Sequence, residues 1–200
     1  MNNLHTLTYF DVTGKAEASR IAFSIAKTNL EDKRINHQQF NEIKDSLPNN
    51  QLPILEVNNQ TYCQSHSIFR YACKLAGLYP EDPLEALHMD MLADQIEECF
   101  SLIIPTMKSP NKIEERNNLL QEGGKLYKRI ETINTWIKGP WYNGEKMTGA
   151  DINLYCFVNF IESGFLDGIP KNYFDHFQNI RNLHDKVDGS GEVISYYSMV

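Results

Sequence analysis

Three short stretches hold side chains whose types and spacing could do chemistry. Gln51-Leu52-Pro53-Ile54-Leu55-Glu56-Val57, the polar Asn58-Asn59-Gln60, and Thr61-Tyr62-Cys63-Gln64-Ser65 read as strand, turn and strand. A helix follows, with Ser65 at the N-cap position. The prolyl bond after Leu52 is either a plain strand start or a cis turn. If cis, it turns the backbone N–H and C=O of Leu52 outward, where an extended peptide could pair with them as an added strand. The helix start beside Gln64 and Ser65 offers unpaired N–H groups and partial positive charge to a carboxylate. Together these features describe a site for a small acidic peptide, and the alternative is an ordinary hairpin–helix unit. Tyr9 ends the first strand, on the side where ligands of α/β sheets bind. Its hydroxyl is either a donor to such a ligand or the tip of a core tyrosine.

The elements that must position these groups follow from periodicity. Leu4 to Phe10 reads as a strand, and Ala16 to Thr28 carries Ile21 and Ile25 at helical spacing. Lys33 to Ile35 is a second strand. Gln38 to Leu47 is a helix stopped by Pro48. Strand, helix, strand, helix, hairpin, helix predicts a thioredoxin-like α/β layer over residues 1–78. Two prolines in Leu78-Tyr79-Pro80-Glu81-Asp82-Pro83 mark the boundary. Residues 83–200 read as an all-helical bundle. A first long helix carries Leu84, Leu87, Met91, Leu92 and Ile96, and bends or ends near Pro105. A second runs from Ile113 to Ile137, a third covers Ile152 to Ile161, and a fourth Tyr173 to Val187. The tail from Ser195 to Val200 is too short to promise a further lid helix. Thr148 and Asp151 form a capping box at the third helix, stapled by Met147 and Ile152.

Composition narrows the function classes. Nineteen Lys and Arg against 26 Asp and Glu give a formal net charge of −7, the wrong sign for a nucleic-acid binder. No apolar run approaches a membrane span, and the N-terminus lacks a secretory pattern, so a cytoplasmic protein is expected. Cys63, Cys73, Cys99 and Cys156 stand far apart with no CxxC pair. That argues against a metal knuckle and against a dithiol oxidoreductase, and predicts reduced, mostly buried thiols. Asp90, Asp94, Glu97 and Glu98 line one side of the first long helix and read as a solvated face.

The hairpin and the run Gln64-Ser65-x-x-Ile68-x-Arg70-Tyr71 resemble the glutathione-binding core of the cytosolic glutathione transferases. Leu7-Thr8-Tyr9-Phe10, then Gly14-Lys15-Ala16-Glu17 and Arg20, resemble that family's first strand and first helix. The likeness is closest to the sigma class, which includes glutathione-dependent prostaglandin D synthases and S-crystallins. It covers essentially the whole chain. Trp141-Tyr142-Asn143-Gly144 with Thr148-Gly149-Ala150-Asp151 is similar to the family's second-domain folding motif, whose role is stability.

The resemblance implies a homodimeric enzyme that joins the thiolate of glutathione, a co-substrate, to small hydrophobic electrophiles. No metal or other cofactor is expected. A glutathione-dependent isomerase or peroxidase, or a non-catalytic protein on the same fold, is the alternative. A free thiol of pKa about 8.5 is only a few per cent thiolate at pH 7, and a hydroxyl donating to the sulfur favours the anion. The resemblance gives that role to Tyr9. It places the γ-glutamyl carboxylate on Gln64 and Ser65, the peptide backbone on Gln51, Leu52 and Pro53, and the glycyl end on Lys44 and Phe40. Phe40 replaces the family's tryptophan and loses an N–H donor. Lys15 stands where many sigma members have arginine. Glu98 matches the acid that reaches the γ-glutamyl amine across the dimer, with Glu97 next. The acceptor pocket is expected from Phe10, Phe100, Ile103, Ile104 and Met107.

Overall fold

The structure is a computed structural model that describes residues 4–199. The chain divides into two units. One holds the residues up to Tyr79 together with those from Gly191 onward, and the other runs from Pro80 to Ser190. Pro80, the first of the paired prolines, opens the second unit. The last stretch, expected in the helical domain of residues 83–200, groups instead with the first unit.

In the first unit, β1 (His5–Phe10), α1 (Glu17–Ile25), β2 (Leu30–Ile35), α2 (His37–Ile43), β3 (Ile54–Val57), β4 (Gln60–Cys63) and α3 (Ser65–Leu75) follow in order. The sheet runs β2-β1-β3-β4. β1 pairs in parallel with β2, and β3 is antiparallel to both β1 and β4. The β2 strand starts three residues earlier than the sequence suggests, because pairing with β1 extends it through residues exposed to solvent. Asn58 and Asn59 both take positive φ, 53° and 62°, so the two-residue hairpin turn twists in the sense its strands require. Asn36 caps α2 by accepting from the Gln39 N–H, while the Gln39 side chain accepts from the Asn36 N–H. A 3-10 turn, Lys44–Ser46, completes that segment.

The core of this unit comes from alternate β1 residues and from the packed faces of α1 and α3: Leu7, Ile21, Phe23, Ile68, Phe69 and Ala72. The tail does form a helix, α9 (Gly191–Tyr197), contrary to the expectation from its length. Val193 and Tyr196, three residues apart, are buried, and α9 packs on α1. That burial offsets the low stability of so short a helix.

The second unit holds α4 (Pro83–Ile103), α5 (Lys112–Leu120), α6 (Lys125–Trp136), α7 (Gly149–Glu162) and α8 (Gln178–Asp188). Asp82 caps α4, accepting from the N–H of Leu84 and of Glu85 at 3.0 Å each, with Pro83 in the first turn. The helix passes into a 3-10 turn at Ile104, beside Pro105. Its core stripe is Met89, Leu92, Ile96, Phe100 and Ile103, whereas Leu84, Leu87 and Met91 are exposed. The single second helix expected from Ile113 to Ile137 is two helices, broken at Gly123 and Gly124. A β-carbon on Gly124 would lie 2.5 Å from the Leu119 carbonyl oxygen, so the backbone doubles back too closely for any other residue. The fourth expected helix begins as a 3-10 turn, Tyr173–His176, and becomes α8 only at Gln178. α7 is the central element, packed on α4 and α8 and buried along nearly its whole length.

Candidate functional site

Strand register gathers the candidate residues at one end of the sheet. Phe10 pairs with Ile35, so β2 ends beside the end of β1 and delivers His37 and Phe40 there. Thr8 pairs with Ile54, so antiparallel β3 begins at the same end, just after Leu52 and Pro53. Ile54 pairs with Cys63, so β4 finishes there and hands over to Gln64 and Ser65. Two strand spacings separate β1 from β4, about 10 Å. That is the reach of a three-residue extended peptide.

Tyr9 is 8% exposed, and its hydroxyl oxygen accepts from the Lys15 backbone N–H at 3.2 Å. Its ring stands edge-on to Phe10, with centroids 5.5 Å apart, and lies 5.9 Å from the Arg20 guanidinium carbon. Phe10 in turn packs edge-on against Phe40 at 5.2 Å and contacts His37 at 4.8 Å. The phenylalanine at position 40 therefore serves as an aromatic wall. Lys44 is exposed on the 3-10 turn that follows.

The Leu52–Pro53 peptide is cis, the second of the two readings open to that bond. Strand pairing starts only at Ile54, so Leu52 lies outside the ladder, with Gln51 exposed before it. Gln64 rather than Ser65 is the N-cap of α3, and Ser65 is its first helical residue. Gln64 has φ 76° and ψ 106°, a conformation that costs a side-chain-bearing residue about 1–3 kcal/mol. Such an outlier at the junction of strand and helix fits a position held for binding. It leaves the first-turn N–H groups of α3 at the end of the sheet where Tyr9 lies.

A buried charge network beneath this end escaped the sequence reading. Arg20, 2% exposed, donates to Glu17 and Asp32 at 2.9 Å each and to the Val12 carbonyl at 2.9 Å. Tyr196 of α9 donates to the other Glu17 oxygen at 3.1 Å. The bond to Val12 ties the loop between β1 and α1, the segment that carries Lys15, to the helix below. Four charge-bearing and hydroxyl groups at scattered positions give no local pattern, so only Arg20 and Glu17 stood out, as parts of a motif.

The remaining candidates lie in the second unit. Phe100 is buried against Phe157 and Phe160, with ring centroids 5.5 and 5.4 Å away, and Ile103 is fully buried. Ile104 and Met107 sit on the 3-10 turn, where Met107 is 42% exposed. Glu98 forms an ion pair with Arg129 of its own chain. Asp151, fully buried, accepts from the N–H of Tyr142 and of Thr148 at 2.7 Å each and from the Thr148 hydroxyl at 3.1 Å. Burial pushes its carboxyl upward while these donors pull it down.

The chain's own thiols contribute little chemistry. Burial pushes Cys73 up and Cys99 up to about 12, so both stay protonated, and Cys156 is buried. Cys63 is half-buried, 3.7 Å from the Asn49 amide. A separate hollow of about 600 Å³ between the hairpin and α3 is lined by Leu55, Val57, Tyr62, Cys63, Ile68 and Tyr71. It contains none of the residues assigned to glutathione.

Residues 5–74 match the family described as glutathione S-transferase, N-terminal domain, and residues 93–198 match glutathione S-transferase, C-terminal domain. Glutathione S-transferase 1 of Ascaris suum is 28% identical over 191 residues, covering 90% of this chain and 93% of that one. The human hematopoietic prostaglandin D synthase is 32% identical over 150 residues, 74% of each chain. A solved prostaglandin synthase D from Nilaparvata lugens superposes with a TM-score of 0.86 at 29% identity, covering 98% of this chain and 97% of that one. With its paired strand ends, its cis-prolyl turn and both halves matched, this chain belongs to the glutathione S-transferase family.

Proposed function

We propose that the chain conjugates glutathione to hydrophobic electrophiles, with Tyr9 as the catalytic residue. The observation that carries this reading is the register, which puts Tyr9, the Leu52–Pro53 bond and the start of α3 at one end of the sheet. The cysteinyl backbone of glutathione pairs with Leu52 as an added strand, flanked by Gln51 and Pro53. The γ-glutamyl carboxylate sits on Gln64 and the first-turn N–H groups of α3 with the Ser65 hydroxyl. The glycyl end meets Lys44 and the Phe40 wall, and Lys15 adds positive charge at the loop. The phenol of Tyr9 donates to the sulfur and holds it as thiolate. The thiolate's electron pair then forms a carbon–sulfur bond to the electrophile, and the leaving group departs with the pair of the bond that breaks. Of the residues expected at the acceptor site, Phe10, Ile104 and Met107 keep surface to offer an electrophile, whereas Phe100 and Ile103 are buried in the core of the second unit and can only back such a site.

A second reading keeps the same thiolate but ends in isomerisation of a prostaglandin endoperoxide; the human relative is named a prostaglandin D synthase. The proposal includes a cytoplasmic homodimer in which Glu98 of the partner subunit approaches the γ-glutamyl amine. Apolar Leu84, Leu87 and Met91, exposed on the α4 face, support a second copy as their cover. The ion pair with Arg129 must open for Glu98 to serve that role.

Glutathione-affinity resin should retain the protein at neutral pH under reducing conditions, and flow-through would sink the reading. A panel of a chloroaromatic, a lipid hydroperoxide and a prostaglandin endoperoxide, each with and without glutathione, then separates conjugation from peroxidase and isomerase activity. Sedimentation at micromolar concentration tests the dimer.

A further inference from the structure

Gly14 stands directly over the hydroxyl of Tyr9. A β-carbon added to it would lie 2.7 Å from Oη, 3.0 Å from Cε1 and 3.3 Å from Cζ. Carbon and phenol oxygen do not approach to 2.7 Å without one of them moving. Gly14 also has φ +41°, which side-chain-bearing residues rarely adopt. The next residue, Lys15, sends its N–H to the same oxygen at 3.2 Å. The glycine therefore does two things at once. Its missing side chain leaves room for the phenol tip, and its turn aims the following N–H at the phenol oxygen.

The ring has little freedom to give way. It is 8% exposed, edge-packed on Phe10 and set against the Arg20 guanidinium. Arg20 is itself bound to Glu17, Asp32 and the Val12 carbonyl. The phenol is thus set against the backbone at Gly14 and against the buried charge network at Arg20. A β-carbon at position 14 would push the oxygen several tenths of an ångström off its place and lengthen the bond from Lys15. Hydrogen bonds weaken steeply with misalignment, and misplacement of about 1 Å can cost roughly 100-fold in rate.

We propose that Gly14 is a positioning residue for Tyr9: it lets the loop close over the phenol, so that the Lys15 N–H takes the acceptor side of the oxygen and directs its proton to the substrate sulfur. This rests on the reading of Tyr9 as the thiolate's donor. It predicts that Gly14 acts on turnover only through that hydroxyl.

The test is a cycle of four proteins: wild type, Gly14→Ala, Tyr9→Phe and the double variant. Each is measured for kcat with a chloroaromatic acceptor, KM for glutathione, the pH titration of the bound thiol and Tm. Gly14→Ala should lower kcat about 10-fold and move the thiol titration upward, with the glutathione KM changed less than about twofold. In the Tyr9→Phe background the same substitution should change neither kcat nor the titration. Part of the Tm loss should persist in both backgrounds, because the cost of a β-carbon at positive φ does not depend on the hydroxyl, while the part due to the contact with Oη should be relieved in the Tyr9→Phe background. A kcat loss that multiplies in the double variant overturns the proposal, as does a KM rise at unchanged kcat. If Gly14→Ala does not fold but the double variant does, the clash is with the hydroxyl and the proposal stands. If neither folds, Gly14 serves the chain alone and the proposal falls. Tyr9→Phe with undiminished kcat would overturn the reading of Tyr9 itself, a result distinct from all of these.

Discussion

Tyr9 and Asp151 are both nearly buried polar side chains that accept hydrogen bonds from backbone N–H groups, one in each unit, and they are built for opposite ends. Asp151 takes three donors at 2.7, 2.7 and 3.1 Å. A carboxylate can only accept, so this one spends itself on its own chain: it closes the turn at Tyr142 and starts α7. Tyr9 accepts from the Lys15 backbone N–H at the longer distance of 3.2 Å. A phenol both accepts and donates, so fixing its acceptor side orients a proton for a ligand. Around Asp151, Thr148 lies in the extended region and the positive φ in the turn that Asp151 closes falls on a glycine, Gly144 at 116°. Around Tyr9's end of the sheet, Gly14, Asn49, Asn50 and Gln64 all have positive φ. On the proposed function, the positive φ of Gln64 belongs to the ligand's end of the sheet and the saturation of Asp151 to the fold.

The sharpest way to break this contrast is at the saturated site, where the largest effect is expected. Asp151→Ala leaves the buried N–H groups of Tyr142 and Thr148 without their acceptor. At about 1–3 kcal/mol for each stranded donor, the loss should be about 3 kcal/mol or more. For a chain of this size that lowers Tm by roughly 10 °C. Asp151→Asn should not rescue it, since an amide NH2 would face donors where a carboxylate oxygen accepted. The folded fraction should keep its kcat, and a fall in kcat at unchanged Tm would move Asp151 to the site.

Tyr9→Phe should do the reverse. Losing one hydrogen bond to a charged sulfur is worth about 1.5–3 kcal/mol. The thiolate absorbance of the glutathione complex should then titrate about one to two pH units higher, with kcat at neutral pH down by one to two orders of magnitude. Tm should scarcely move. An unshifted titration with unchanged kcat would leave Tyr9 a core residue.

A smaller effect is expected from Ser65→Ala, which removes one hydroxyl from the carboxylate's end of the site. About 1 kcal/mol corresponds to a roughly fivefold rise in the glutathione KM, with kcat held. A fall in kcat at constant KM would instead tie Ser65 to the transition state.

Much of this arrangement was legible in the sequence because it is set by local patterns. Tyr9, Leu52–Pro53 and Gln64–Ser65 each mark the end of an element, and strand order brings such ends together. Thr148 and Asp151 announce their helix three residues apart. The rest depends on approach across space. Gly14 looks like any turn glycine until the Tyr9 hydroxyl is found beneath it. Hydrophobic spacing runs on from Leu119 to Leu126 to Ile130, steps of seven and four, so the break at Gly123 and Gly124 is invisible to periodicity. Arg20 and Glu17 carry charge, which ordinarily signals exposure, yet they are 2% and 4% exposed because each satisfies the other.

The tail sharpens the comparison most finely, since Tyr196 reaches the site only at third hand. Its hydroxyl donates to Glu17, Glu17 accepts from Arg20, and Arg20 holds the Val12 carbonyl of the loop ahead of Gly14. Tyr196→Phe removes one buried hydrogen bond but leaves Glu17 its arginine, so the carboxylate keeps a charged partner. The cost should be close to that of an ordinary hydrogen bond, about 1 kcal/mol, and Tm should fall by roughly 2–4 °C. If the network only supports the loop, kcat should drop by no more than about twofold and the bound thiol should titrate as in the wild type. A tenfold loss of kcat with a displaced titration would mean that the charge network sets the phenol's position directly. The distinction between a saturated structural site and a strained functional one would then extend down through α1 to the tail.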